Sequence, residues 1–212
     1  MAKQLGGMAD LLKVGSTLFT AEGPQAVRKL AGLGANIFLD LKFHDIPNTV
    51  AGAVAAAATL PRVRLLTLHA SGGLAMMKAA REAADSSKRR PALLGVTILT
   101  SLDAAALSSI GMSGPPGIQA TLLACLAKEA GLDGVVASAH EVQAVRQACG
   151  PAFLIVVPGI RPAAASADDQ SRVATPAEAI RAGANYLVVG RPITAAPSPR
   201  AAAQAIRQEF TK

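Results

Sequence analysis

An α/β fold on parallel strands, and within that class a (β/α)8 TIM barrel, is what this sequence predicts, on three observations. Short apolar runs of strand length alternate along the chain with Ala-rich stretches of helical spacing. Hydrophobic residues make up 51% of the 212 while aromatic residues make up only 3%. The apolar mass is therefore Ala, Val, Leu and Ile, which suits helices packed on tightly filled parallel strands. Finally, the polar residues able to do chemistry fall just after strand ends from distant parts of the chain, as the C-terminal face of a barrel requires.

Strands are expected at 11–15, 36–41, 64–68, 93–98, 133–137, 153–157 and 185–189. Helices are expected at 22–33, 47–59, 73–86, 117–130, 140–149, 176–182 and 198–211. Pro47, Pro176 and Pro199 fall near helix starts, where a missing amide costs little, and Gly34, Gly131 and Gly183 fall at helix ends. A helix after every strand supplies the crossover that parallel neighbours need, in a sheet either closed as a barrel or open and doubly wound. No Gly-rich dinucleotide fingerprint follows the first strand and no nucleotide-hydrolase phosphate loop is present, which favours the barrel. Closure of such a barrel takes about eight strands, whereas seven are visible and the chain opens on a helix-like segment, Met1 to Asp10. The expectation is one barrel domain over 1–212, N-terminally truncated: either the first strand belongs to a segment upstream of Met1, the preferred reading, or the chain lacks it and is impaired.

A formal charge of +7 comes from scattered Lys and Arg, with a single tight cluster at Lys88, Arg89 and Arg90 in an expected loop. This pattern argues against nucleic acid and suits a small anionic substrate, which a positive field concentrates. Cys125 and Cys149 show no metal-ligand spacing and are expected buried and reduced, in helices. No apolar run has the length of a membrane span and no signal peptide opens the chain, so the expected location is the cytoplasm, with no membrane partner.

The most informative stretch is Phe38-Leu39-Asp40-Leu41-Lys42-Phe43-His44-Asp45-Ile46-Pro47-Asn48-Thr49. Side chains two apart on a strand share a face, so Asp40 and Lys42 are expected to point toward the barrel axis and Leu39 and Leu41 toward the helices. Charges so close together are costly in an apolar protein unless they pair with each other and with a ligand. Lys13, at the preceding strand end, extends them into an alternating network of two lysines and two aspartates, an arrangement that often marks catalysis. After the last strand, Gly190 lets backbone amides approach a phosphate and Arg191 offers a planar fork to its oxygens. The stretch from Pro162 to Val173, small and polar without periodicity, reads as a mobile lid. His44, His69 and His140 have no partner at zinc spacing and are read as structural, and no Gly-x-Ser-x-Gly elbow supports serine chemistry.

The run from Asp40 to Thr49, with Lys13-Val14-Gly15 upstream, resembles the signature of the orotidine 5'-monophosphate decarboxylase family of bacterial type. The resemblance continues through His69-Ala70-Ser71-Gly72-Gly73, Val96-Thr97-Ile98-Leu99-Thr100-Ser101, Pro158-Gly159-Ile160-Arg161, Asp168-Asp169-Gln170-Ser171-Arg172 and Val188-Val189-Gly190-Arg191-Pro192-Ile193-Thr194. It implies that Lys42 is the catalytic proton donor and that Lys13, Asp40 and Asp45 complete a charged tetrad. It further implies that Asp45 and Thr49 reach the partner's active site in a homodimer with shared sites, and that Thr100 contacts the pyrimidine. Arg161, Gln170, Gly190 and Arg191 match positions around the phosphate and its covering loop. The family also carries an aspartate at the end of its first strand, and no residue of this chain corresponds to it.

The implied reaction removes carbon dioxide from C6 of orotidine 5'-monophosphate to leave UMP, in de novo pyrimidine synthesis, with no metal and no organic cofactor. Two other readings share some of the pattern. A magnesium-dependent keto-sugar-phosphate decarboxylase of the same superfamily has a similar Asp-x-Lys-x-x-Asp run and phosphate site, but the residues from His44 to Thr49 and from Thr97 to Ser101 favour the nucleotide enzyme. A non-catalytic phosphate-binding barrel would bind ligand and release no carbon dioxide.

Overall fold

The computed structural model describes residues 1–5, 7–162 and 174–211. After a short helix α1 (Ala2–Leu5) come β1 (Leu12–Gly15), α2 (Ser16–Glu22), α3 (Pro24–Gly32), β2 (Ile37–Phe43), α4 (Pro47–Ala58), β3 (Val63–His69), α5 (Gly73–Asp85) and β4 (Ala92–Val96). The chain continues with α6 (Ala104–Ser109), α7 (Pro116–Glu129), β5 (Gly134–Val136), α8 (Val142–Cys149), β6 (Leu154–Val157), α9 (Pro176–Ala182), β7 (Tyr186–Leu187), α10 (Arg191–Thr194) and α11 (Pro199–Gln208). The sheet order is β1-β2-β3-β4-β5-β6-β7, and the registered strand pairs are parallel. A doubly wound sheet reverses its strand order at a switch point, whereas an unbroken sequential order is that of a (β/α)8 TIM barrel, seven strands of which are described.

All seven expected strands are present, each within a few residues of its expected bounds. The helix expected at 22–33 is α3, opened by Pro24; a helix that was not expected, α2, precedes it and ends at Gly23, at φ 60°. None of the α2 residues is buried, so it lacks the apolar stripe that would have revealed it. The short α6 was equally hidden; it is started by the Asp103 carboxylate, which accepts from the Ala106 amide at 2.8 Å. Pro47, Pro176 and Pro199 do open helices, and Gly183, at φ 109°, ends α9. One cysteine departs from expectation. Cys149 is buried but Cys125 is exposed, because the buried stripe of α7 runs through Ala120, Ala124 and Ala127 and residue 125 turns off it.

Two compact units make up the chain, one formed by Met1–Val96 with Leu126–Asp133, the other by Thr97–Cys125 with the residues from Gly134 onward. In the first, Ile37, Leu39, Leu66, Leu68, Leu93 and Leu94 are fully buried strand residues, and Val27, Val54, Met77 and Ala80 face them from the helices. A polar network ties the end of α5 to the start of β4. The Asp85 carboxylate takes Arg81 Nε at 2.8 Å and Arg90 Nε at 2.6 Å. Arg90 Nη2 reaches Asp133 at 2.7 Å, and Asp133 accepts from the Leu93 amide at 2.8 Å. Part of the basic cluster at 88–90 is thus committed to structure. No helix among the described residues is long and apolar enough to cross a membrane.

In the second unit Val135, Ile155, Val156, Val157 and Ile160 are buried, covered by Val142 and Val145 of α8 and Ala179 of α9. Ile98, Leu107 and Ala120 form a further buried cluster with Leu102, Met112 and Leu123 packed on it. Its polar anchor is Arg146. One guanidinium nitrogen donates to the carbonyls of Gly150, Pro151 and Phe153, and the other to the Gly183 carbonyl and the Asn185 side chain, at 2.6 to 3.0 Å. Asn185 Oδ1 also accepts from the Ile155 amide at 2.8 Å, so one side chain joins the end of α8, the start of β6 and the turn before β7. Arg146→Ala leaves these acceptors without their shared donor, and a loss of about 2–4 kcal/mol is expected. Urea denaturation should show a lower midpoint with an unchanged slope; an unaltered midpoint would mean the anchor is redundant.

Candidate functional site

In the first unit β1, β2 and β3 bring Lys13, Asp40, Lys42 and Thr67 together. Asp40 is 8% exposed, and a carboxylate so enclosed is stable only with donors around it. It has three. Lys42 Nζ lies 2.8 Å from Oδ1 and 2.9 Å from Oδ2, Lys13 Nζ lies 3.3 Å from Oδ2, and Thr67 Oγ1 donates to Oδ1 at 3.0 Å. Burial pushes the Asp40 carboxyl up, but the hydrogen bond and charge of Lys42, the charge of Lys13 and the Thr67 hydroxyl together outweigh it and hold the group below the ordinary aspartate value. Two ammonium groups around one carboxylate leave the centre with an excess of positive charge, suited to an anion or to negative charge that develops during a reaction.

The local backbone explains how these groups converge. Strict alternation along β2 was expected to aim Asp40 and Lys42 alike. Instead the pairing with β3 slips between Leu39 and Phe43: from Leu39↔Leu66 to Phe43↔Leu68, β2 advances four residues while β3 advances two. Within this bulge Lys42 takes φ 53°, a left-handed conformation costly for any residue with a side chain, of order 1–3 kcal/mol. Its amide donates to Thr67 Oγ1 at 3.0 Å. A second device sits on β1. Gly15 is in register with Asp40, and a Cβ on Gly15 would come within 2.9 Å of Lys13 Nζ, so the missing side chain is the space through which the Lys13 ammonium reaches the carboxylate.

The other residues singled out from sequence take the following places. Asp45 is exposed, its carboxylate capping the adjacent Ile46 amide at 2.6 Å, and among the described residues it takes part in no ion pair. One chain thus assembles three members of the expected tetrad and leaves the fourth outside. Thr49 is exposed in the first turn of α4. In the second unit, Thr100 lies in the turn after β4, and buried Arg161 follows β6, its amide donating to the Ala174 carbonyl at 3.0 Å. Gly190 and Arg191 are exposed where α10 begins, immediately after β7. Gln170 and the lid expected over 162–173 lie outside the described residues beyond Pro162. Asp45, Thr49, Thr100, Arg161, Gly190 and Arg191 therefore all follow the C-terminal end of a strand, the end that carries function in barrels of this order, while Lys13, Asp40 and Lys42 lie within β1 and β2.

Thr67 escaped the sequence reading. The signal was one hydroxyl in the otherwise apolar run Leu65-Leu66-Thr67-Leu68, at a position with no exposed surface. His69 ends the same strand and stacks against His44, ring centres 5.3 Å apart and planes tilted by 36°. Burial above all, then the charges of His44 and Lys42, push its imidazole below the ordinary histidine value despite the opposing pull of Asp40. Among the described residues no group of three or more His, Cys, Asp or Glu side chains could hold a metal ion. Both Asp40 oxygens already face ammonium groups.

This arrangement belongs to a chain with clear relatives. The sequence model of the orotidine 5'-phosphate decarboxylase / HUMPS family matches residues 1–206. The orotidine 5'-phosphate decarboxylase of Nitrosococcus oceani is 56% identical over 211 residues, which cover 100% of this chain and 90% of that protein. That of Anaeromyxobacter sp. strain K is 57% identical, with coverage of 97% and 88%. The crystal structure of orotidine 5'-phosphate decarboxylase from Lactobacillus acidophilus superposes with a TM-score of 0.86 at 40% identity, over 99% of this chain and 91% of that one. With the strand order and the lysine-aspartate cluster, these likenesses show that the chain belongs to the orotidine 5'-phosphate decarboxylase / HUMPS family.

Proposed function

We propose that this protein converts orotidine 5'-monophosphate to UMP and carbon dioxide in pyrimidine nucleotide synthesis. The observation that carries the reading is the Lys42 ammonium held against both oxygens of buried Asp40, at 2.8 and 2.9 Å. When the bond from C6 to the carboxyl group breaks, its electron pair stays on a ring carbon that the pyrimidine stabilises poorly. An ammonium fixed beside that carbon attracts the growing charge and then gives it a proton, forming the C6–H bond and leaving a neutral amine that solvent reprotonates. Asp40 orients the ammonium, and Lys13 balances the second carboxylate oxygen. The residues at this step are the chain's own, and the step calls for no metal or organic cofactor. The name shared by the close relatives, together with ammonium groups on both Asp40 oxygens, favours this reading over magnesium-dependent decarboxylation of a keto-sugar phosphate.

Thr100 is assigned to the pyrimidine, and Arg161, Gln170, Gly190 and Arg191 to the phosphate, whose binding energy lies remote from the reacting carbon and can serve to organise it. Asp45 and Thr49 are assigned to the site of a second copy in a homodimer. The support is their exposure on either side of Ile46, itself 66% exposed, and the vacancy of the fourth charge in a single chain. A carboxylate from the partner beside the departing one would repel it by roughly 4 kcal/mol at about 4 Å and an effective dielectric of about 20. Barriers fall by roughly 8–23 kcal/mol in enzymes, so this repulsion is secondary to the preorganised ammonium. One barrel domain acting in the cytoplasm completes the proposal.

Three measurements test it. Lys42→Ala should lower kcat for orotidine 5'-monophosphate, followed by ultraviolet absorbance, by about 10⁴-fold or more while UMP still binds; turnover near the wild-type rate would refute the assignment. Mixing Lys42→Ala chains with Asp45→Ala chains should restore about a quarter of the wild-type activity, since random pairing makes half the dimers mixed and gives each of these one intact site. A mixture no more active than its components rules out shared sites. Gly15→Ala, at an ordinary extended φ of −94°, should keep the fold yet displace the Lys13 ammonium, lowering kcat by about 10- to 100-fold. Full activity in that variant would mean that the Lys13 ammonium does not depend on the space at Gly15.

A further inference from the structure

The Thr67 hydroxyl has no exposed surface and makes two contacts, each with a partner whose hydrogen-bonding role is fixed. The Lys42 backbone N–H, 3.0 Å away, can only donate, so the hydroxyl oxygen accepts from it. The Asp40 carboxylate, also 3.0 Å away, can only accept while ionised, so the hydroxyl proton points to Oδ1. That same Oδ1 receives the Lys42 ammonium at 2.8 Å. The contacts close a ring: Lys42 amide to Thr67, Thr67 to Asp40, Asp40 to Lys42 Nζ. One hydroxyl therefore grips Lys42 at both ends, at its backbone directly and at its ammonium through the carboxylate.

The ring lies where the β-ladder cannot do this work. The slip in pairing between Leu39 and Phe43 takes the Lys42 amide out of regular register with β3, and the residue stands at φ 53°, a conformation that persists only when its surroundings impose it. An apolar side chain of the same shape would leave a buried N–H without its acceptor and a buried carboxylate short of one donor.

We propose that Thr67 is a positioning residue for the decarboxylation, its hydroxyl setting the backbone turn and the carboxylate that together aim the Lys42 ammonium. It deepens the reading of function given above and rests on it. Thr67 does not touch the reacting atoms, so its loss should appear in the chemical step rather than in binding.

The test compares Thr67→Val, which keeps the shape and removes the hydroxyl, with Thr67→Ser, which keeps the hydroxyl. For the valine variant kcat should fall by about 10- to 100-fold, the scale of a misaimed catalytic group, while KM and the Kd for UMP stay within about threefold. The serine variant should recover kcat to within about threefold of wild type. Should the valine chain fail to fold, Thr67→Cys, with a weaker donor of similar size, is expected to lose about 3- to 10-fold in kcat at unchanged KM. A valine or cysteine variant with wild-type kcat overturns the proposal, as does one whose only change is a lower thermal midpoint. A wild-type chain that leaves orotidine 5'-monophosphate unconverted sinks the functional reading and this proposal with it; an active wild type with an equally active valine variant sinks the proposal alone.

Discussion

Asp40 is the constraint on which the rest of the first unit depends. A carboxylate with 8% of its surface exposed must find donors inside the protein, and β1, β2 and β3 each contribute one. The requirements run outward from there. Lys13 passes where Gly15 has no side chain to crowd it, and Lys42 arrives where β2 bulges and its backbone turns left-handed. Thr67 supplies the acceptor that the bulge removes from the ladder. A local strain of a few kcal/mol is tolerated because the donors and acceptors around it all point to one arrangement.

Reactive geometry of this kind needs a rigid base, and each unit has its own. In the first, the Arg81, Asp85, Arg90 and Asp133 network holds the end of α5 and the start of β4. In the second, Arg146 gathers carbonyls from three successive elements onto one guanidinium. Strand starts carry stability and strand ends carry chemistry, a division that parallel barrels use generally because the loops at the two ends can vary independently. The +7 charge fits the same division: some arginines serve as internal anchors, while the two site lysines outnumber the one carboxylate between them.

Much of this was legible in the residues. The strands stood out because short apolar runs between Gly and Pro signals have few other readings. The pairing of Asp40 with Lys42 and Lys13 was legible because charges in an apolar strand must be neutralised nearby. What escaped depends on registers and close approaches that leave no periodic trace. Short α2 and α6 bury too little to show a stripe. Thr67 looked like one more β-branched strand residue, and Cys125 like one more apolar helix residue, until the buried face of each element was known.

Hydrophobic periodicity and charge pattern, which are local, determined the order of strands and helices, the parallel class and the strand end where chemistry would sit. The aim of the Lys42 ammonium was decided only by tertiary structure. It depends on a two-residue slip between β2 and β3, on the absence of an atom at Gly15 and on a hydroxyl 25 residues away in sequence. Each is a contact between strands, and one-dimensional spacing does not encode the distance across a ladder. The exposed place of Asp45, outside the cluster that its spacing suggested it would join, follows from the same physics: after the bulge the chain turns outward, and alternation no longer says which way a side chain points.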